Sequence, residues 1–285
     1  MHTVLPGHTD AVSAPRALLR AAHPEPTAAV TALATAVAAS AGRGAAGCLL
    51  VAATILTGQL SIGWSNDVID ARRDIAAGRR DKPIAAGEIS SRTVATACAV
   101  ALALCIPLSF ANGWRAGLVH LLVVAGGWAY NLGLKRTVFS FVPYAVSFGA
   151  LPAFLALGLD GQPLPQPWVV LAGALLGVGA HFLNVVPDIQ DDLDAGVRGL
   201  PQRLGERGAR AGGALLLAAA SAVVTFGPEG DVPTWAYAGF ALAVVLSLLA
   251  ALAPAWLGPR GPFLLSLLTA AVTVALLVGR GGAIA

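Results

Sequence analysis

Residues 61–90, SIGWSNDVIDARRDIAAGRRDKPIAAGEIS, concentrate charge at the end of a long apolar run. Asp67, Asp70 and Asp74 are spaced i, i+3 and i+7, which puts the three carboxylates on one face of a helix. A carboxylate at the centre of a bilayer costs on the order of 3 kcal/mol, and neighbouring carboxylates repel one another. The spacing therefore predicts a cluster that a divalent cation stabilises.

The composition indicates an integral membrane protein. The chain has 285 residues, of which 56% are hydrophobic and only 12% charged, whereas soluble domains are about 25% charged. Apolar runs of about 20 residues, enough to cross the hydrocarbon core, recur along the chain. We expect an all-α bundle of nine transmembrane helices: 26–41, 44–66, 92–111, 114–132, 138–158, 167–187, 210–227, 233–253 and 261–279.

The basic residues predict the orientation of this bundle. With nine spans, fifteen of the 18 Lys and Arg residues fall on one side, which the positive-inside rule assigns to the cytoplasm. We therefore expect a multi-pass protein of the plasma membrane, with an active-site cavity opening to the cytoplasmic side. Residues 1–285 are interpreted as a single domain that begins with a polar segment, 1–23. Beyond the lipid bilayer, we expect no nucleic-acid partner and no obligate protein partner.

A second acidic stretch has a similar layout. Residues 184–205, NVVPDIQDDLDAGVRGLPQRLG, follow an apolar helix and place Asp188, Asp191 and Asp192 on one helical face. Both stretches leave the helix through an Asn and then reach a basic residue and a Pro. This pattern predicts a weak internal repeat whose functional site lies where the repeats meet.

The donor atoms indicate the metal. Carboxylate oxygens without His or Cys favour Mg²⁺, which commonly bridges one or two carboxylates to substrate phosphates. Neighbouring cations would bind the remaining phosphate charge: Arg72, Arg73, Lys82, Lys135, Arg136 and Arg198. The alternative is a pair of solvated loops in which Asp simply pairs with Arg. Two matching clusters at helix ends favour the diphosphate site.

The motifs resemble those of the UbiA superfamily of intramembrane prenyltransferases. Asn66-Asp67-x-x-Asp70-x-x-x-Asp74 is similar to the NDxxDxxxD signature, and Asp188-x-x-x-Asp192 is similar to the second, DxxxD, motif. Three further segments resemble the superfamily: DKPIAAGEIS (81–90), YNLGLKR (130–136) and AGVRGLP (195–201). The resemblance runs from about residue 20 to the C-terminal end.

The resemblance implies Mg²⁺-dependent transfer of a prenyl group from an allylic polyprenyl diphosphate to a small acceptor, expected to be aromatic. Two or more Mg²⁺ ions would be held by Asp67, Asp70, Asp74, Asp188 and Asp192, with Asn66 completing the catalytic set. The implied diphosphate-binding residues are Arg72, Lys82, Tyr130, Lys135, Arg136, Asn184 and Arg198. Trp64, Trp128 and Tyr130 could stabilise an allylic cation through their π faces. The role of Asp191 stays open.

The acceptor is not defined by the sequence. RAAHPEP places His23 before Pro24, with Arg20 three residues earlier; these two are the candidate acceptor residues. His23 departs from the Arg that many benzoate-prenylating members carry, which leaves homogentisate, dihydroxynaphthoate, a chlorin, a phosphorylated sugar or a glycerol lipid as possible acceptors.

Two alternative functions differ in outcome or class. A terpene cyclase of the same superfamily would close the prenyl cation without an acceptor. A membrane cation transporter would carry acids at mid-span along a through-path. The acids here are predicted at helix ends on one side, which disfavours the transporter.

Overall fold

The computed structural model describes residues 13–252, 255–280 and 284–285, and all regular structure within them is helical. Its α-helices are α1 (Ala14–Ala21), α2 (Pro24–Ser40), α3 (Ala45–Ala76), α4 (Ser91–Ala111), α5 (Trp114–Leu132), α6 (Val142–Leu157), α7 (Pro167–Asn184), α8 (Ile189–Asp194), α9 (Leu200–Phe226), α10 (Thr234–Leu252) and α11 (Gly261–Gly279). Short 3₁₀ turns cover Leu134–Arg136, Val186–Asp188 and Ala255–Leu257.

Each of the nine predicted spans overlaps a helix, namely α2–α7 and α9–α11. Seven of these helices are long and apolar enough to cross a membrane: α3, α4, α6, α7, α9, α10 and α11. With 17 residues, α2 falls short of a full span, and α5 is not among the seven. The described residues therefore form an all-helical, multi-pass membrane protein. Seven of its helices have the length and hydropathy of a membrane span.

The helices pack into a closed ring. Consecutive long helices contact one another, α2 packs against both α3 and α11, and α7 contacts α6, α9 and α11. Because the first and last long helices meet, the ring encloses a central space.

Small residues bring these helices together, as the glycines of the sixth predicted span indicate. A Cβ on Gly173 would collide with the Phe148 carbonyl oxygen in α6, and one on Gly179 would lie 3.0 Å from the Gly213 carbonyl oxygen in α9. Backbones this close leave no room for a side chain, which is the packing expected between membrane helices.

Two local features depart from the sequence prediction. The part of the polar N-terminal segment that is described forms α1, whose Ala17 and Ala21 are fully buried; residues 1–12 lie outside the described residues. The second acidic stretch does not continue α7, because Pro187 lacks an N–H and its ring clashes with the preceding turn. The chain instead makes a 3₁₀ turn at Val186–Asp188 before α8.

Candidate active site

The first acidic cluster lies on the final turns of α3. A helix of 32 residues is about 48 Å long, so α3 extends well beyond a hydrocarbon core of about 30 Å. Asp67, Asp70 and Asp74 are 2%, 3% and 3% exposed and face the interior of the bundle, as their spacing predicts. Buried carboxylates of this kind require cationic partners.

Lys82 is the partner of Asp67. Its Nζ donates to Asp67 Oδ1 at 2.9 Å and to His23 Nε2 at 3.0 Å. His23 reaches this position from the α1–α2 link, where its backbone adopts a left-handed conformation with φ of 52°. The other carboxylate oxygen, Asp67 Oδ2, is buried without a hydrogen-bond partner among the described residues. A buried carboxylate oxygen without a partner is a position at which a cation would be stabilised.

Lys135 and Arg73 hold the other two carboxylates. Lys135 Nζ donates to Asp70 Oδ1 at 2.7 Å, while Arg73 Nη2 lies 3.1 Å from Asp70 Oδ2 and 3.3 Å from Asp74 Oδ1. Burial of Lys135 lowers the pKa of its ammonium group, and the adjacent Asp70 carboxylate opposes that shift. Two opposing effects therefore act on the charged form of Lys135: burial disfavours it, and the Asp70 carboxylate stabilises it.

Arg79 joins the two acidic clusters. Its Nη2 donates to Asp188 Oδ1 at 3.0 Å, and its Nη1 lies 3.8 Å from Asp191 Oδ2. The same guanidinium forms two 2.9 Å hydrogen bonds with Asp81. These bonds lower the pKa of the Asp81 carboxyl to about 2 and raise the pKa of Arg79. The loop after α3 is therefore attached to the segment after α7.

Gln202 is a site residue that the sequence analysis did not identify. It is 3% exposed, and its Nε2 donates to Asp192 Oδ2 at 2.9 Å. Its Oε1 is buried without a hydrogen-bond partner among the described residues. Gln202 lies in the AGVRGLPQRLG stretch of the sequence. No helical spacing relates it to Asp192, because the turn between α8 and α9 determines the distance between the two side chains.

These groups surround the mouth of a cavity of about 990 Å³. Its polar end is lined by Asn66, Asp70, Asp74, Asp188, Asp191 and Asp192 together with Arg73, Arg79, Lys82 and Lys135. Beyond them the walls become apolar, along α2, α6, α7 and α11. Tyr130 and Tyr144 line the wall, with ring centroids 5.2 Å apart in an edge-to-face arrangement. A cavity of this size is at the upper end of small-molecule sites.

The structure separates the sequence-predicted residues into two groups. Arg20, His23, Tyr130 and Asn184 line the cavity together with Asn66, Lys82, Lys135 and four of the five predicted metal-binding carboxylates. The fifth, Asp67, lies beside the mouth in contact with Lys82 and, in the described part of the chain, is not part of the lining. Arg72, Arg136 and Arg198 are exposed and, among the described residues, are not part of its lining.

The two tryptophans also lie away from the cavity lining. Trp64 Nε1 donates to the Leu18 carbonyl oxygen, and Trp128 Nε1 donates to Ser61 Oγ. Of the three aromatics predicted to stabilise a cation, Tyr130 is the one that lines the cavity.

The donor set fits Mg²⁺ in chemistry. In the described part of the chain, no three His, Cys, Asp or Glu side chains already converge on one metal position, because each carboxylate is turned towards a lysine, an arginine or an amide. Six carboxylates nevertheless face four cations across the two clusters (Asp67, Asp70, Asp74, Asp188, Asp191 and Asp192 against Arg73, Arg79, Lys82 and Lys135). That excess of negative charge and the unpartnered Asp67 Oδ2 suit added divalent cations.

Comparison with known proteins identifies the class of membrane protein that this bundle and its carboxylates define. The profile of the UbiA prenyltransferase family matches residues 28–259. The chain belongs to the UbiA prenyltransferase family and is a prenyltransferase. It is also 30% identical, over 175 residues, to a protoheme IX farnesyltransferase of Geotalea uraniireducens (strain Rf4); the match covers 58% of this chain and 67% of that protein.

Two solved structures share the fold. The apo structure of a UbiA homologue from Aeropyrum pernix K1 superposes with a TM-score of 0.66 at 22% identity, covering 94% of this chain and 99% of that chain. A UbiA homologue from Archaeoglobus fulgidus bound to GPP and Mg²⁺ superposes with a TM-score of 0.64 at 19% identity, covering 92% and 99%. At these low sequence identities, the superpositions establish that this chain and the two homologues share the same helical-bundle fold.

Proposed function

We propose that this protein transfers a prenyl group from an allylic polyprenyl diphosphate to a small acceptor in a Mg²⁺-dependent reaction. The observation that carries the proposal is the bridge from Arg79 to Asp188. It brings two carboxylate clusters, far apart in the chain, to the polar mouth of an apolar cavity. The A. fulgidus homologue bound to GPP and Mg²⁺ supports the same ligand pair here.

The protein's own side chains hold the diphosphate. Lys82, Lys135, Arg73 and Arg79 provide four cationic groups around the mouth, and each is close enough to a carboxylate to be oriented by it. When the diphosphate binds, these cations exchange part of their contact with carboxylates for phosphate oxygens. The carboxylates released in this way, together with Asn66, are the groups that would hold two or more Mg²⁺ ions. When bound, Mg²⁺ supplies Lewis-acid neutralisation of the departing diphosphate.

The allylic carbon would lie just inside the mouth, beside Tyr130 and Tyr144. Their π faces stabilise the positive charge that develops as the carbon–oxygen bond breaks, by up to about 2 kcal/mol in a dry environment. The acceptor would enter near Arg20 and His23, which line the same mouth. His23 Nε2 lies 3.0 Å from Lys82 Nζ and 3.4 Å from Asp67 Oδ1, and these two side chains hold the ring where it would contact the acceptor.

The proposal extends to topology: nine spans, with the mouth on the cytoplasmic side of the plasma membrane. Arg80 is exposed in the loop after α3, and Asp160 is exposed in the loop between α6 and α7. In a cysteine-free background, we expect Arg80→Cys in intact cells to resist a membrane-impermeant maleimide, whereas Asp160→Cys should react. The reverse labelling pattern would contradict this orientation.

The reaction is tested with purified protein, geranylgeranyl diphosphate and Mg²⁺. We expect pyrophosphate release together with a prenylated product, identified by mass spectrometry, once a suitable acceptor from a panel of phenols, chlorins and glycerol phosphates is present. Chelation should stop turnover and Mg²⁺ should restore it. Asp70→Asn and Asp188→Asn should abolish turnover while the protein remains membrane-inserted.

Other outcomes have defined meanings. A hydrocarbon or cyclic alcohol formed without any acceptor would identify a terpene cyclase instead. Full activity in chelator, or unchanged turnover in the Asp70→Asn variant, would contradict the proposed metal site.

A further inference from the structure

The apolar part of the cavity has a measurable depth. Its lining on α7 follows one helical stripe from Asn184 at the mouth to Val169, fifteen residues away. At a rise of 1.5 Å per residue this stripe spans about 22 Å. The lining on α11 runs from Phe263 to Leu277 and spans about 21 Å by the same rise. Two independent walls therefore give the same depth.

The deep end of the cavity is closed. Val37, Leu155, Val169, Val224 and Leu277 line it from five different helices, and each is between 2% and 7% exposed. All five belong to one continuous hydrophobic core. They form a floor, so the cavity is a blind channel and not a passage through the bundle.

Two hydroxyls that line the channel are hydrogen-bonded within the bundle. Ser147 Oγ donates to the Val123 carbonyl oxygen at 2.9 Å, and Thr273 Oγ1 is hydrogen-bonded to Ser221 Oγ at 2.7 Å. Because these hydroxyls have partners within the bundle, they do not interrupt the apolar walls; the amide of Gln59 on α3 also lines the cavity.

This depth limits the length of the tail. Three extended backbone bonds advance about 3.6 Å, so the four bonds of one isoprene unit advance about 5 Å. A channel of about 21 Å accommodates about four such units. We propose that the blind channel binds prenyl diphosphates of up to about four isoprene units, and that the five floor residues set this upper limit. This inference rests on the proposed function, because it assumes that the diphosphate lies at the polar mouth.

The test measures binding, which does not require the acceptor. The probes are non-hydrolysable thiodiphosphates of geranyl, farnesyl, geranylgeranyl and hexaprenyl chains, titrated in Mg²⁺ against the purified protein. We expect affinity to rise from geranyl to geranylgeranyl, because each added unit buries apolar carbons, and to fall for hexaprenyl by at least about tenfold.

Variants at the floor should shift this limit. Val169→Trp should weaken binding of geranylgeranyl by at least about tenfold while geranyl binds as before, because the larger side chain removes the space for one unit. Val169→Ala, which enlarges the floor, should reduce the penalty for hexaprenyl. Leu171→Trp is the matched control: this residue is on the same helix but half-exposed on its outer face, so the chain-length preference should not change.

The results separate the two proposals. Hexaprenyl binding as tight as geranylgeranyl in the unmodified protein would overturn the length limit and indicate that tails leave the channel sideways into lipid. An unchanged preference in both Val169 variants would overturn the assignment of the floor. Mg²⁺-independent or undetectable binding at every length would overturn the proposed function itself.

Discussion

Arg79 Nη2 lies 3.0 Å from Asp188 Oδ1, although 109 residues separate the two in the chain. This contact connects the loop after α3 to the turn after α7, and it brings both acidic clusters to one cavity. Everything proposed about the chemistry depends on this meeting of two helix ends.

Replacing Arg79 tests that connection directly. We expect Arg79→Ala to weaken Mg²⁺-dependent binding of geranyl thiodiphosphate at least about tenfold, because charge-assisted hydrogen bonds of this kind contribute about 1.5–3 kcal/mol. Arg80→Ala is the control, since Arg80 is adjacent but exposed. Titration calorimetry on both variants gives the comparison; equal affinities would show that Arg79 has no part in the site.

Arg72 and Arg73 form a second matched pair. Arg73 contacts Asp70 and Asp74 at 3.1 and 3.3 Å, whereas Arg72 is exposed. We expect Arg73→Ala to lower both the melting temperature and the probe affinity, because two buried carboxylates lose a partner. Arg72→Ala should change neither. A larger loss of probe affinity in the Arg72 variant than in the Arg73 variant would support the prediction from the sequence that Arg72 binds the diphosphate.

Gln202 should act by positioning Asp192. We expect Gln202→Leu to raise the Mg²⁺ concentration needed for half-maximal thermal stabilisation by geranyl thiodiphosphate, because Asp192 loses its 2.9 Å donor. The melting temperature without ligand should change little, since the variant also removes the unpartnered Oε1. Arg203→Leu, on the exposed neighbour, is the control. An unaltered Mg²⁺ requirement in Gln202→Leu would exclude the positioning role.

Gly63 allows the α1–α2 link to approach α3. A Cβ at this position would lie 2.5 Å from the Ala22 carbonyl oxygen, so Gly63→Ala must displace the link that carries His23. We expect a lower melting temperature, with a loss on the order of 1–3 kcal/mol for overpacking. Gly44→Ala should cost less, because nothing lies within 4 Å of its Cβ position and only the N-cap preference of α3 is affected. Equal melting temperatures for the two variants would contradict this account.

Periodicity predicted the acidic face of α3 but was not applied to its neighbours. Successive residues of a helix are rotated by about 100°, which places Arg72 about 160° from Asp70 and Arg73 about 60° from Asp70. The same rotation that brings the three carboxylates together therefore separates the two arginines, although the resemblance had implied Arg72, and not Arg73, as a diphosphate-binding residue.

Other parts of the site depend on turns that periodicity does not describe. Lys135 and Arg136 are consecutive in a 3₁₀ turn, yet Lys135 is buried against Asp70 and Arg136 is exposed. Gln202 approaches Asp192 because the chain turns between α8 and α9. Such pairings are set by the tertiary path of short segments, which no spacing rule in a single sequence encodes.

The contact between α2 and α11 has a consequence for biogenesis. The walls of the blind channel come from helices separated by more than 200 residues, so no ribosome-bound intermediate lacking α11 can enclose an isoprenoid. Until that last wall is inserted, Val37, the floor residue on α2, is uncovered on the side that α11 later occupies. A channel with all of its walls therefore exists only once α11 has been translated and inserted.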